Sequence, residues 1–198
     1  MDDLPAPRLT LQRARLEHAT ALAAHLVEHR VESGRDGAPH FALPSGAPAE
    51  EVRQNLLERW ARRIDEPRWA RAWLLWTAEP PPSGPPDPAV ARVVGHVELL
   101  GGRVMAELHR ATLGIGMLQP YTGQGYGREM METAIAWARG EARLSYIDLG
   151  VFVGNDRARR LYERMGFMEQ WIRRDAFRVE GVVIDDIQMT LALRPPHG

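Results

Sequence analysis

Apolar residues along the 198-residue chain recur at two different spacings, and the changes of spacing mark the elements. Residues 8–13 read as a first strand. Ala19, Leu22, Ala23 and Leu26 then fall at helical intervals and predict a first helix with one buried face, broken by Ser33-Gly34 and Gly37. Pro48 with Glu50 and Glu51 marks a second helix start, because proline has no amide hydrogen to lose in a first turn and acids suit the positive end of the dipole. Val52, Leu56, Trp60 and Ile64 supply that helix with an apolar stripe. Segments 70–78, 90–100 and 106–118 read as strands, with Trp73 and Trp76 in the first and a turn at Gly101-Gly102 before the third. The succession predicts an antiparallel meander.

The second half of the chain is ordered differently. The apolar run 113–118 leads into Gly123-Gln124-Gly125-Tyr126-Gly127. Met130, Ala134, Trp137 and Ala138 then form a helical stripe that Gly140 ends, and a strand at 144–153 follows. Strand, loop, helix and strand predict a parallel crossover of the right-handed kind. A turn at Gly154-Asn155, a short helix and a Gly166-Phe167 exit lead to two more strands, 168–174 and 182–193, with Gly181 near their turn. In the last of them Ile187, Met189, Leu191 and Leu193 alternate with Asp186, Gln188 and Thr190, so one face meets a core. There is no internal repeat, and low complexity is confined to EPPPSGPPDP at 79–88. A proline run offers few ladder donors and predicts an extended solvated loop, with docking of a partner as the alternative. The economical reading is one α/β domain over residues 1–198.

Composition narrows the function. A formal net charge of −1 gives no argument for a nucleic-acid partner or an anionic membrane. With no cysteine there can be no disulfide, thiolate metal site or cysteine nucleophile, and no metal is expected. The opening MDDLPAPRLT carries acids where a signal peptide carries bases, and no later segment is apolar for long enough to span a bilayer. A cytoplasmic location is therefore expected.

The glycine loop carries the first candidate chemistry. Glycines at alternate positions leave backbone amides unshielded, and the next helix presents unpaired amides and partial positive charge at the same place. That combination makes a phosphate cradle. No Walker lysine follows it, and a G-x-G-x-x-G dinucleotide fingerprint would need glycine where Arg128 stands. Further on, 144–167 reads LSYIDLGVFVGNDRARRLYERMGF. Together the two segments resemble the GNAT superfamily of N-acetyltransferases, whose members bind acetyl-CoA. The family's N-x-x-A-x-x-L-Y-x-x-x-G-F pattern is complete here as Asn155, Ala158, Leu161, Tyr162, Gly166 and Phe167. Its (Gln/Arg)-x-x-Gly-x-(Gly/Ala) loop matches at Gly125 and Gly127, but Thr122 stands where Arg or Gln is usual. The run from Gly181 to Met189, with Asp185, resembles an ending common in members that acetylate protein N-termini or small amines.

The resemblance implies a mixed sheet of about seven strands, an antiparallel meander followed by a parallel central crossover, flanked by about four helices. It implies acetyl-CoA as co-substrate, an amine acceptor as partner, and leaves a homodimer open. Cofactor contacts would come from Met117 and Leu118 on the strand, from Thr122, Gly123, Gln124, Gly125, Tyr126 and Gly127 in the loop, and from Asn155. Asparagine is also a favoured helix cap, and the two roles are compatible. Tyr162 matches the tyrosine that serves as acid toward the leaving sulfur; the bland alternative is a packed tyrosine whose hydroxyl bonds to backbone. The first two helices and their loop, with His40 and Phe41, would wall the acceptor site. The family's glutamate base aligns with Thr112, so Glu98, Glu107, His109 or a water chain is left to serve as base. The rival readings are a CoA-binding or sensing module without turnover, and a nucleotide oxidoreductase using Asp148.

Overall fold

The computed structural model describes residues 9–35, 47–179 and 181–194. Seven strands form one sheet: β1 (Thr10–Arg13), β2 (Ala70–Trp76), β3 (Val93–Gly101), β4 (Arg110–Met117), β5 (Tyr146–Phe152), β6 (Met168–Val179) and β7 (Val182–Ala192). Their spatial order is β1-β2-β3-β4-β5-β7-β6. Strands β1 to β4 pair antiparallel as the meander expectation has it, β4 and β5 pair parallel across the crossover, and β7 lies between β5 and β6.

Four α-helices cover the two faces: α1 (Ala19–Glu32), α2 (Ala49–Ala61), α3 (Tyr126–Gly140) and α4 (Asp156–Arg164). Period-2 alternation on the strands sorts the apolar residues into two cores. Ala72, Leu74 and Trp76 of β2 meet Leu22, Ala23 and Leu26 of α1 and Leu56 of α2. On the other face Leu99, Leu113, Ile147, Leu149 and Met189 meet Met130, Ala134 and Ala138 of α3 and Tyr162 of α4. Trp137 packs edge-on against Trp69 and Trp73 there, at centroid distances of 5.8 and 5.5 Å.

Several expected boundaries move: β6 runs on to Val179 rather than ending at 174, and three others shift for a local reason. The stripe on α2 stops at Ala61 because the Arg71 guanidinium donates to the Trp60 and Arg62 carbonyls; Ile64 lies beyond and is 38% exposed. Strand β3 starts at Val93 rather than 90, since Asp87 gathers the amides of Ala89, Val90 and Ala91 into a turn. Strand β4 starts at Arg110 rather than 106, because the Glu107 carboxylate accepts the Arg103 amide at 2.8 Å and closes a 3₁₀ turn. The segment 79–88 is irregular and largely exposed. His40 and Phe41 lie outside the described residues.

The sheet opens at its centre. Strands β4 and β5 pair only from Arg110↔Tyr146 to Thr112↔Asp148, while β4 continues to Met117 beside β3 and β5 continues to Phe152 beside β7. The closed end is pinned by Arg110, whose guanidinium donates two hydrogen bonds to Asp148 at 2.7 and 2.8 Å, and by the Thr190 hydroxyl on the same carboxylate. Beyond it, acidic side chains lie over glycines on both sides of the opening. A Cβ at Gly114 would sit 3.3 Å from the Glu98 carboxyl, and one at Gly150 would sit 2.7 Å from Asp186 Oδ1. The result is a wedge-shaped gap between two halves of a sheet.

Candidate active site

The glycine loop stands at the end of β4, at the open end of the wedge. Gly123 and Gly125 take φ of 85° and 95°, torsions that glycine adopts without cost and branched residues resist. Gly125 caps α3, its carbonyl accepting from the amides of Arg128 and Glu129. Among the described residues the amides of Gly123, Gln124, Gly125, Tyr126 and Gly127 have no acceptor. Five consecutive bare donors at a helix N-terminus suit an anion with several oxygens, which is what a pyrophosphate is. The side chains in the loop serve the loop itself: Gln124 donates to the Pro120 carbonyl at 3.3 Å, and the Tyr126 hydroxyl accepts the Leu9 amide at 3.4 Å.

Valine at Gly125 is expected to lower CoA affinity tenfold or more with the fold retained. Nothing lies within 4 Å of a Cβ at this position, so the effect is torsional and local, twisting the cradle rather than overpacking the core. Calorimetric titration of CoA beside a melting curve checks it; unchanged affinity in a folded variant would contradict the cradle.

Along the wedge, backbone alternation decides which groups face the gap. The Leu118 amide donates to the Val94 carbonyl, so Met117 and Gly95 are a non-hydrogen-bonded pair, and the polar backbone of Met117 and Ile115 turns away from β3. Met117 offers its amide there; its carbonyl receives a hydrogen bond from His29. Leu118 corrects the expectation from sequence. Its amide is engaged by Val94 and its side chain is 1% exposed, so it has neither an amide nor a side chain to offer a ligand, and its carbonyl already accepts from Tyr121.

Thr122 also differs from its expected part. Its hydroxyl donates to the Gln119 carbonyl at 2.9 Å and accepts from Arg157 Nη1 at 3.2 Å. With its one hydrogen engaged it cannot donate to a phosphate. Asn155 caps α4, Oδ1 accepting the Ala158 amide at 3.2 Å.

Of the base candidates, only Glu98 borders the wedge. It alternates with Val97 and Leu99, whose side chains enter the α3 core, so its carboxylate lies on the α1/α2 face. Burial pushes its pKa above the usual carboxylate range, with the Arg59 guanidinium pulling the other way. No hydrogen bond or ion pair engages it among the described residues. Glu107 holds the Arg103 amide in an exposed turn, and His109 is exposed before β4, its ring edge-on to Tyr146 at 6.2 Å. A cleft of about 810 Å³ lies between α2 and the closed end of the wedge, lined among others by Arg59, Thr112 and Asp148.

Tyr162 approaches from the opposite face. Its ring is 7% exposed and packs near Phe167, while its neighbour Leu161 comes within 3.4 Å of a Cβ at Gly127. No hydrogen bond to its hydroxyl occurs among the described residues, and burial raises its pKa, so the proton stays on. The packed-tyrosine alternative has a backbone partner for that hydroxyl, and among the described residues there is none.

Pattern reasoning missed the buried histidines. His25 and His29 of α1 and His96 of β3 cluster behind Gly116, with His25 Nε2 3.0 Å from His96 Nδ1. Burial lowers the pKa of all three. They count as polar in any hydropathy pattern, though each stands three residues after a buried leucine, Leu22 or Leu26, which puts His25 and His29 close to the apolar face of α1.

A sheet opened between two parallel strands, with an anion cradle at the open end, defines a CoA-dependent acyltransferase fold. The model of the acetyltransferase (GNAT) family matches residues 49–167, and the chain belongs to that family. It is an acetyl-CoA-dependent acetyltransferase. Solved structures share the fold at low identity. A GNAT-family acetyltransferase from Streptococcus pneumoniae is 22% identical with a TM-score of 0.71, covering 93% of this chain and 99% of that one. The yncA protein of Salmonella typhimurium, solved with its cofactor acetyl-CoA, is 14% identical with a TM-score of 0.70 over 96% and 95%. Spermidine N-acetyltransferase from Vibrio cholerae, in complex with CoA and spermine, is 19% identical with a TM-score of 0.66 over 93% and 95%. No helix among the described residues is long and apolar enough to cross a membrane.

Proposed function

We propose that the protein transfers the acetyl group of acetyl-CoA directly to a primary amine, either of a small molecule or of a protein N-terminus, with Glu98 as base and Tyr162 as acid. The observation that carries this reading is the pair of unpartnered groups on opposite faces of one gap: a carboxylate beside Gly114 and a phenol on α4. Acetyl-CoA supplies the activated acyl thioester. The amides from Gly123 to Gly127 receive the pyrophosphate, and the Met117 amide lies along the path toward the middle of the wedge.

An amine reaches the reaction protonated at neutral pH and must lose that proton to become a nucleophile. Glu98, half-buried, attracts the ammonium in its carboxylate form and takes its proton; its raised pKa brings it closer to the amine's than an ordinary carboxylate would be. The cleft beneath α2 opens on the same face and gives the acceptor its approach. From the other face the Tyr162 hydroxyl donates to the departing sulfur. Because its pKa lies above that of a thiol, it stabilises the thiolate as a hydrogen-bond donor as well as by any proton it passes. A polyamine belongs among the acceptors tried, since the Vibrio cholerae relative binds spermine and a cation suits Glu98.

The test is a screen of primary amines, polyamines and N-terminal peptides included, that follows CoA release from acetyl-CoA. Amine-dependent release with at least one class is expected. CoA binding without release from any of them would leave a binding module and overturn the proposal.

A further inference from the structure

We infer that Arg157, on α4, supplies the charge that binds the CoA pyrophosphate and takes the place of the arginine or glutamine missing at Thr122. The inference rests on the reading of the glycine loop as a CoA cradle and goes beyond it by assigning a residue outside the loop.

Three observations converge on this side chain. Arg157 Nη1 donates to Thr122 Oγ1 at 3.2 Å, and its Nη2 lies 3.2 Å from a Cβ built at Gly123, so the guanidinium lies across the start of the cradle. A side chain at Gly123 would crowd it. Second, Thr122 holds the arginine while having no hydrogen left for a phosphate, because that hydrogen goes to the Gln119 carbonyl. The position that carries the charged or amide side chain in the family has thus become a bracket for a charge from elsewhere.

Third, Arg157 stands in the first turn of α4, two residues after the Asn155 cap. A cation there opposes the helix dipole, an arrangement that is unfavourable by itself. Asp156 in the same turn offsets part of that, yet among the described residues no carboxylate pairs with Arg157. The N-terminus of α3 with five bare amides, and a guanidinium that no carboxylate pairs among the described residues, therefore stand together. So much positive potential without a counter-charge is the arrangement an anion completes. Arginine suits the task because its planar fork gives two parallel donors to neighbouring phosphate oxygens.

The experiment titrates CoA and 3′-dephospho-CoA into the wild type and into Arg157→Gln, Arg157→Lys, Thr122→Ala and Gly125→Val, with a melting curve for each. Arg157→Gln is expected to weaken both ligands by about ten- to a hundredfold, the loss of a charge-assisted bond, and to flatten the salt dependence of binding. Arg157→Lys recovers part of the loss, and Thr122→Ala costs several-fold at most. Near-normal affinity in Arg157→Gln beside a weakened Gly125→Val overturns the assignment and leaves the cradle standing. A loss with CoA that vanishes with the dephospho form overturns it in favour of the 3′-phosphate. Equal losses in Thr122→Ala and Arg157→Gln overturn it too, reducing the arginine to a brace for the loop. Normal affinity in Gly125→Val removes the cradle reading beneath it.

Discussion

Glutamine at Glu98 is expected to lower turnover by about 100- to 10,000-fold, the range typical of a positioned general base. The substitution keeps the shape beside Gly114 and removes only the proton acceptor. The pH profile gives a second readout. The wild type loses its base as pH falls through the Glu98 pKa, and because burial raises that value, the acid limb lies above the usual glutamate range. In the variant the limb disappears. Stability moves the opposite way. A carboxyl with a raised folded pKa is held protonated more tightly in the native state, so native stability declines as pH rises from the unfolded value through the folded one. Above that window the glutamine variant should melt higher than the wild type. A variant that loses turnover and stability together would indicate a structural part for Glu98, and one that keeps turnover would return the task to water.

The second large effect is expected at Tyr162. Phenylalanine keeps the ring against Phe167 and deletes the hydroxyl, so turnover should fall by roughly ten- to ten-thousand-fold. The lower end corresponds to losing one hydrogen bond to a charged sulfur. Stability should hold or rise slightly, because the hydroxyl has no protein partner to lose among the described residues. Steady-state turnover at saturating acetyl-CoA, measured beside CoA affinity and a melting curve, checks the result. Near-normal turnover would sink the acid role and leave the CoA cradle untouched.

Much of this layout is legible in the chain because it is written in short-range signals. The stripes of α1 and α3, the alternation of Ile187, Met189 and Leu191, and the glycines of the cradle each depend on neighbours a few residues away. What escapes is set across distance. Nothing in the run 110–118 announces that its pairing with β5 stops at Thr112, since that depends on a strand more than thirty residues later. Leu118 looks available until Val94 and Tyr121 are seen to hold its backbone. Arg157 looks like one more solvated arginine until α4 sets it on Thr122. Glu98 is singled out from Glu107 and His109 only by the register that places it over Gly114. Ile64 fails for a different reason: its helical period is sound, but Arg71 takes the carbonyls that would have carried the helix onward.

The short pairing of β4 with β5 also bears on how the molecule holds together. Three residue pairs join a leaf built from β1 to β4 to a leaf built from β5, β7 and β6, with α3 packed on both. Elsewhere in the sheet most neighbours are joined by longer ladders, so opening and closing of the two leaves is the cheapest large motion the sheet allows. A ligand laid between them restores backbone partners that the protein itself withholds. Binding then acts as mortar: at a hundred times its dissociation constant, CoA adds about 2.7 kcal/mol to stability. That increment falls on the seam first, where the gap-facing amide hydrogens of Ile115 and Met117 exchange with solvent in the free protein and slow when the seam is filled.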